Sequence, residues 1–259
     1  MNAKKGGAEV FLHGVHAVSG LLERRPEAVR NVWLSAGGLG DRLADIEKLA
    51  RRQRVQLDFL VTEELDRRAA GARHQGVVAQ IDPDGIVLDE ADLDAALKSV
   101  VEPPLLLVLD GVQDPHNLGA CLRSADAAGA DAVIVPKDRA VGLTAAVCKV
   151  ASGAVGHVPF VRVTNLARTL RQLRDADVWI AGADAEGDTT VYQADLKLPT
   201  ALVLGAEGSG LRRLTREHCD FRISIPMQGV VESLNISVAA AVCLFEARRQ
   251  RGVVSIPAG

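Results

Sequence analysis

Aromatic residues are scarce: two Trp, one Tyr and five Phe among 259 positions. Eight rings are too few for the base-stacking platform on which single-strand nucleic-acid binders rely. Cysteine is equally sparse. Cys121, Cys148, Cys219 and Cys243 form no CxxC pair, which argues against zinc and disulfide frameworks and predicts reduced thiols in a core. The histidines include no H-x3-H pair, and neither a P-loop nor a G-x-S-x-G elbow is present; zinc hydrolases, P-loop NTPases and serine hydrolases are disfavoured, and no metal is called for. The longest clean apolar run, Val238–Phe245, has eight residues, whereas a bilayer-spanning helix needs about 18 or more. Two lysines near the N-terminus are followed by no apolar stretch, so no secretory signal is expected and the protein is expected to be cytoplasmic.

What is present suits a folded chain. Hydrophobic residues make up 48% and charged residues 24%, and 24 Gly with 10 Pro are too few for a disordered composition. The length suits two domains of ordinary size. The net charge of −3 conceals an asymmetry: residues 1–80 carry 13 Lys/Arg against 10 Asp/Glu, residues 81–102 one Lys against seven acids, and residues 103–259 sixteen of each. Local basic patches decide nucleic-acid binding more than the total does. The candidates are Arg51/Arg52/Arg54, Arg67/Arg68/Arg73, Arg212/Arg213/Arg216 and Arg248/Arg249/Arg251. Each of them taken singly reads first as a solvated helix face.

Periodicity divides the chain. Residues 1–81 alternate helix signals (Val15–Arg25, Arg42–Arg52, Thr62–Ala70) with strand signals (Asn31–Leu34, Gln56–Leu60, Gly76–Ile81), giving a small α/β domain. The acidic stretch 82–102 has a helical segment, Asp89–Val101, but the composition of a linker. From residue 103 to 259 strands and helices alternate regularly. Strands are expected at Leu105–Leu109, Ala132–Val135, Val158–Val161, Val178–Ala181, Ala201–Leu204 and Phe221–Ile225. Helices are expected at Leu118–Ala128, Leu143–Ser152, Leu166–Ala176 and Asn235–Arg249. That rhythm implies a parallel sheet covered on both faces, with ligands bound outside the carboxyl ends of its strands.

Three strand-end loops hold the polar residues. In the first, Asp110 to Ser124, Asn117 is a candidate N-cap. Arg123 falls six residues into an otherwise small and apolar helix, so its charge is expected to need a phosphate or carboxylate partner. The second, Leu204-Gly205-Ala-Glu207-Gly208-Ser-Gly210, spaces its glycines as GxxGxG, the reverse of the dinucleotide fingerprint. Those glycines suit a close ligand or a tight turn equally well. The third, Ile225 to Ser237, places Ser233, Asn235 and Ser237 at the mouth of a core helix, more polar groups than one cap requires.

Taken in order, these loops resemble the three motifs of the SpoU branch of the SPOUT RNA methyltransferases. DPHNLGACLRSADAAGADAVIVPKDR, LTREHCD and SLNISVA carry the resemblance, which points to the subgroup that methylates a guanosine 2′-hydroxyl in the peptidyl-transferase loop of 23S ribosomal RNA. The opening GVHAVSGLLERRPEAVRNVWL and His74-Gln75-Gly76-Val77 resemble that subgroup's L30e-like RNA-binding domain. The resemblance implies an α/β fold whose C-terminal parallel-sheet domain contains a deep trefoil knot, which the general rarity of knotted chains would otherwise exclude. It further implies S-adenosylmethionine held by backbone at Gly205, Ile225 and Leu234, with Leu204, Glu207, Met227 and Asn235 near, and a homodimer acting on 23S rRNA. Arg123 is implied to be central to catalysis, with Asn117, Glu207, Ser233 and Asn235 positioning the reactants. Gly156 departs from the pattern: relatives often carry Glu there, which puts one interface contact in doubt. Methylation of another RNA, or a catalytically silent RNA-binding role in ribosome assembly, remain open alternatives.

Overall fold

A computed structural model describes residues 9–37, 40–206, 208 and 210–252. In chain order the first elements are β1 (Val10–His13), α1 (Val15–Arg24), β2 (Val29–Ser35), α2 (Asp41–Arg52), β3 (Gln56–Leu60), α3 (Thr62–Arg68), β4 (Val77–Ile81) and α4 (Pro83–Ile86). There follow α5 (Glu90–Ser99), β5 (Leu105–Asp110), α6 (Pro115–Ala128), β6 (Ala132–Pro136), α7 (Ala145–Ala151), β7 (Phe160–Val163) and α8 (Leu166–Asp175). The chain closes with β8 (Trp179–Ala183), β9 (Thr189–Thr190), β10 (Thr200–Gly205), α9 (Arg213–Glu217), β11 (Phe221–Ser224) and α10 (Ile236–Gln250). Packing divides these elements into two units.

The first unit holds the residues to Val87 together with Leu143–His157. Its sheet has the order β1-β4-β2-β3, with β2 parallel to β3 and antiparallel to β4. β1, whose four residues alternate buried and half-buried, is a strand that the sequence reading missed. Residues 143–157 join this unit because Ala154, Val155 and Gly156 are buried and a one-turn helix there packs on α1. At Gly156 a Cβ would lie 2.5 Å from the Ala17 carbonyl oxygen. A glutamate side chain would therefore have no room at this position against α1.

The second unit is built on a seven-stranded sheet, β7-β6-β5-β10-β8-β11-β9, parallel at every pairing. All six residues of β5 are buried, as are the first five of β10, as continuous apolar runs covered on both faces should be. The strand direction of progression reverses at β5: β6 and β7 lie on one side, β8 and β11 on the other, with β10 inserted between. Crevices outside such a reversal are where parallel sheets take ligands.

Two expectations are corrected here. The acidic stretch is no linker. Asp89 and Asp92 form a reciprocal capping box at the start of α5, and Leu93 sits in the core beside Leu106 and Val161. Leu88 adds a bridge to Val161, with hydrogen bonds to Phe160 and Arg162. Its acids cap the helix, bond residues such as Thr164 and Arg168 or face water, while its leucines face the sheet, so composition concealed an amphipathic helix. The N-cap of α6 is Asp114, whose carboxylate accepts from the His116 N–H, and not Asn117. Pro115 at the first helical position starts the helix three residues early, because its fixed φ and missing N–H suit that place. Gly129 closes α6 at φ 66°, as expected.

If α5 belongs to the core, Leu93→Ala should lower unfolding free energy by about 2–5 kcal/mol. The exposed neighbour Asp94→Ala should stay within about 0.5 kcal/mol. Urea titration of both variants measures the contrast, and equal small effects would return the segment to a linker.

Candidate active site

β5, β10 and β11 all point their carboxyl ends to one edge of the second unit, so the three polar loops open at that edge. The first and third are joined directly. Asn235, the N-cap of α10, uses Oδ1 to accept from the Ser237 N–H at 2.9 Å and the Ser237 hydroxyl at 2.6 Å. Its amide is thereby oriented, and Nδ2 donates to Oδ1 of Asn117 at 2.9 Å. Asn117 is buried in the first turn of α6, which packs along α10. Because Asp114 supplies the cap, the Asn117 side chain is released for this contact. Ser237 thus belongs to the cap, while Ser233 is exposed in the irregular segment before it.

The second loop is shaped by its own chain. A Cβ at Gly205 would stand 2.0 Å from the Gly210 carbonyl group and 2.3 Å from the Leu211 nitrogen. Gly208 and Gly210 hold φ of 76° and 61°, the left-handed region that other residues rarely enter. The tight-turn reading therefore accounts for all three glycines, and a side chain at Gly205 would break the loop before it met any ligand. Glu207 lies outside the described residues.

Leu204 is buried at the end of β10, whereas Gly205, Ile225, Met227 and Leu234 are half-buried. The backbone groups of Ile225, Met227 and Leu234 have no hydrogen-bond partner among the described residues. Half-buried, unpaired backbone beside apolar side chains suits a ligand with an apolar body and a few polar edges.

Arg123 is not where burial would compel a partner. It is exposed on α6 and, among the described residues, unpaired. Six residues beyond Asn117, it stands about 9 Å further along the helix and about 120° around it. The desolvation argument for a partner fails, since water solvates the guanidinium. The structure joins Asn117 to Asn235 and leaves Arg123 on another face.

One group escaped the sequence reading. Asp110, the last residue of β5, is 1% exposed. It accepts from Thr215 Oγ1 at 2.5 Å and Arg212 Nε at 2.6 Å. A carboxylate ending a wholly apolar run was the available signal.

Most of the arginine clusters prove to be structural. Arg216 pairs with Asp184 at 3.0 Å and Arg249 with Glu246 at 2.8 Å. Arg248 donates to the carbonyls of Ala128 and Gly129, and Arg251 to those of Leu196 and Leu198. Arg68 bonds Glu64 and lies 4.3 Å from the centre of the Trp33 ring. Arg52, Arg54 and Arg73 are exposed without a partner among the described residues. The four cysteines form no disulfide, and burial pushes the thiols of Cys148 and Cys243 up to about 12 and that of Cys219 to about 11. Those three are thiols, not thiolates, at neutral pH.

Comparison with known proteins bears on the same loops. Residues 104–245 match the family model described as the SpoU rRNA Methylase family. The chain belongs to that SpoU family. Residues 11–86 match a second model, described as RNA 2′-O ribose methyltransferase substrate binding. The 23S rRNA (guanosine-2′-O-)-methyltransferase RlmB of Escherichia coli K12 is 52% identical over 241 residues, 93% of this SpoU chain and 98% of that protein. RlmB of Yersinia pestis is 54% identical over 243 residues, 94% and 98% of the two chains. The SpoU methyltransferase AviRb of Streptomyces viridochromogenes, solved with the cofactor AdoMet, superposes with a TM-score of 0.71 at 29% identity, covering 94% of this chain and 90% of that one.

A double-mutant cycle tests the amide pair. Asn117→Ala and Asn235→Ala should couple by about 0.5–1.5 kcal/mol in unfolding free energy. Asn235→Ala should cost about 1 kcal/mol more than Asn117→Ala through loss of the cap. Additive effects would show that the two amides act independently.

Proposed function

We propose that this SpoU chain transfers a methyl group from S-adenosylmethionine to the ribose 2′-hydroxyl of a guanosine in 23S ribosomal RNA. The observation that carries this reading is the Asn117–Asn235 pair, which unites two loops 118 residues apart at the carboxyl edge of the sheet. Identity of 52% to a 23S rRNA guanosine 2′-O-methyltransferase across 93% of the chain supports the substrate. The half-buried backbone at Ile225, Met227 and Leu234 fits an adenosine, with Gly205 and Leu204 at the neighbouring strand end. When bound, S-adenosylmethionine supplies an electrophilic methyl carbon to the ribose oxygen and leaves as a neutral thioether.

In this reading Asn117, Asn235, Ser233 and Glu207 orient ribose, base and donor within reacting distance. Arg123 holds the neighbouring phosphate and stabilises negative charge developing on the attacking oxygen. A guanidinium keeps its charge at neutral pH and does not act as a base, so the hydroxyl proton leaves to phosphate or water. The first unit binds RNA as an L30e-like domain; its exposed Arg52, Arg54 and Arg73 suit phosphate contacts. Insertion of β10 between β5 and β8 supports threading of the C-terminal segment as a trefoil knot.

A homodimer reconciles Arg123 with the amide pair. Val238 and Phe245 are 47% and 50% exposed on α10, seven residues apart and so on one face, with half-buried Val242 between. That stripe suits an isologous interface, across which Arg123 of one copy serves the amides of the other. No helix among the described residues is long and apolar enough to cross a membrane, in keeping with work on ribosomal RNA in the cytoplasm.

Single-turnover methyl transfer tests the assignment. Arg123→Ala should slow the reaction by about 10²–10³, and Arg123→Lys should recover only part, with donor binding unchanged in both. Mixing equal amounts of Arg123→Ala and Asn235→Ala chains should restore roughly a quarter of wild-type activity if two copies share each site. A wild-type rate in Arg123→Ala would remove the residue from catalysis, and an inactive mixture would place both residues in one copy's site.

A further inference from the structure

Asp110 is the most deeply buried carboxylate described, and the reaction as proposed gives it no task. Its backbone and its side chain nevertheless hold the same loop at opposite ends. On the entry side, Asp110 is the parallel register partner of Gly205, the last residue of β10. On the exit side, its carboxylate takes Arg212 and Thr215. Thr215 Oγ1 donates to Oδ2 at 2.5 Å, and Arg212 Nε donates to Oδ1 at 2.6 Å, with Arg212 Nη2 on the same oxygen. Between these points the loop closes on itself, the Gly210 N–H donating to the Ala206 carbonyl at 3.0 Å, before Leu211 enters the core.

Burial makes this arrangement directional. A carboxylate without water must have both oxygens satisfied, and a shifted loop would leave the charge unpaired. An apolar contact tolerates sliding; a forked guanidinium and a hydroxyl on one carboxylate do not. Asp110 also begins the first loop, since Gly111 follows it at φ 105° and α6 starts at Pro115. One residue therefore sets where the glycine loop stands relative to the segment that carries Asn117.

We infer that Asp110, through Arg212 and Thr215, is a positioning residue that fixes the 205–211 loop for the methyl donor. This rests on the reading of that loop as part of the donor site. Asp110 touches neither donor nor RNA; it acts through the loop's two anchored ends.

The test uses the full-length chain. Calorimetry with S-adenosylmethionine should show Asp110→Asn binding about tenfold to a hundredfold more weakly, because a small misplacement of a positioned group costs that much. Thr215→Val, which removes one arm, should raise the donor KM by a smaller factor and leave kcat at saturating donor within about threefold of wild type. Affinity for a 23S rRNA fragment should be unchanged in both, a separation that general loss of stability would not produce. An Asp110→Asn chain that melts like wild type and binds donor like wild type overturns the inference. If Asp110→Asn does not fold, an unchanged donor KM in Thr215→Val overturns it. If the wild-type chain binds no S-adenosylmethionine, the reading of the site fails, and hydrogen exchange at Gly210 decides the clamp separately. Faster exchange there in Thr215→Val supports it, and unchanged exchange overturns it.

Discussion

A parallel sheet covered on both faces excludes water from its strands, and that constraint governs where this chain can do chemistry. β5 and β10 offer no exposed side chain along their length, so polar function is confined to the loops beyond their carboxyl edge. Loops that leave this edge have no intrinsic reason to converge. They do so because α6 and α10, which follow the first and third loops, pack against one another. The Asn117–Asn235 bond is the polar seam of that helix pair. It depends on Asp114, not Asn117, capping α6, and on an Asn235 cap that turns its amide toward Asn117.

The same economy of polar groups explains the arginines. A guanidinium has five donors and remains charged, so near a buried helix end or strand end it serves as a brace. Arg248 closes the end of α6, Arg251 gathers the carbonyls of the segment before β10, and Arg212 meets the carboxylate of Asp110. Each pins the C-terminal part of the chain to elements more than fifty residues away in sequence. Cationic patches that suggest nucleic acid in a linear reading are, in the second unit, largely internal fasteners. In the first unit Arg52, Arg54 and Arg73 stay exposed without a partner among the described residues.

Much of this was legible in the amino-acid order because the underlying physics is local. The apolar runs at Leu105–Leu109 and Ala201–Leu204, the helical spacing of Arg42–Arg52 and the αL glycine after Ala128 each follow from neighbouring residues. The order and content of the three loops likewise carried the family. Local rules misjudged 82–102, where seven acids outweighed three leucines whose partners lie on β5 and β7. They also misjudged the start of α6 and assumed burial for Arg123.

Three matters were decided only by tertiary packing. Which amide meets which depends on α6 lying along α10, 118 residues apart, and no periodicity encodes that contact. Gly205 is glycine because Gly210 and Leu211 return to its Cα, an approach the GxxGxG spacing left undecided. Asp110 ends a strand in the sequence and becomes a three-donor anchor only when α9 folds back over it. Element type, loop order and family were determined by the sequence itself, since propensity, burial pattern and motif content are properties of adjacent residues. The partners of buried polar groups were decided by the fold, since a charge or amide shielded from water takes whatever donor or acceptor packing brings to it.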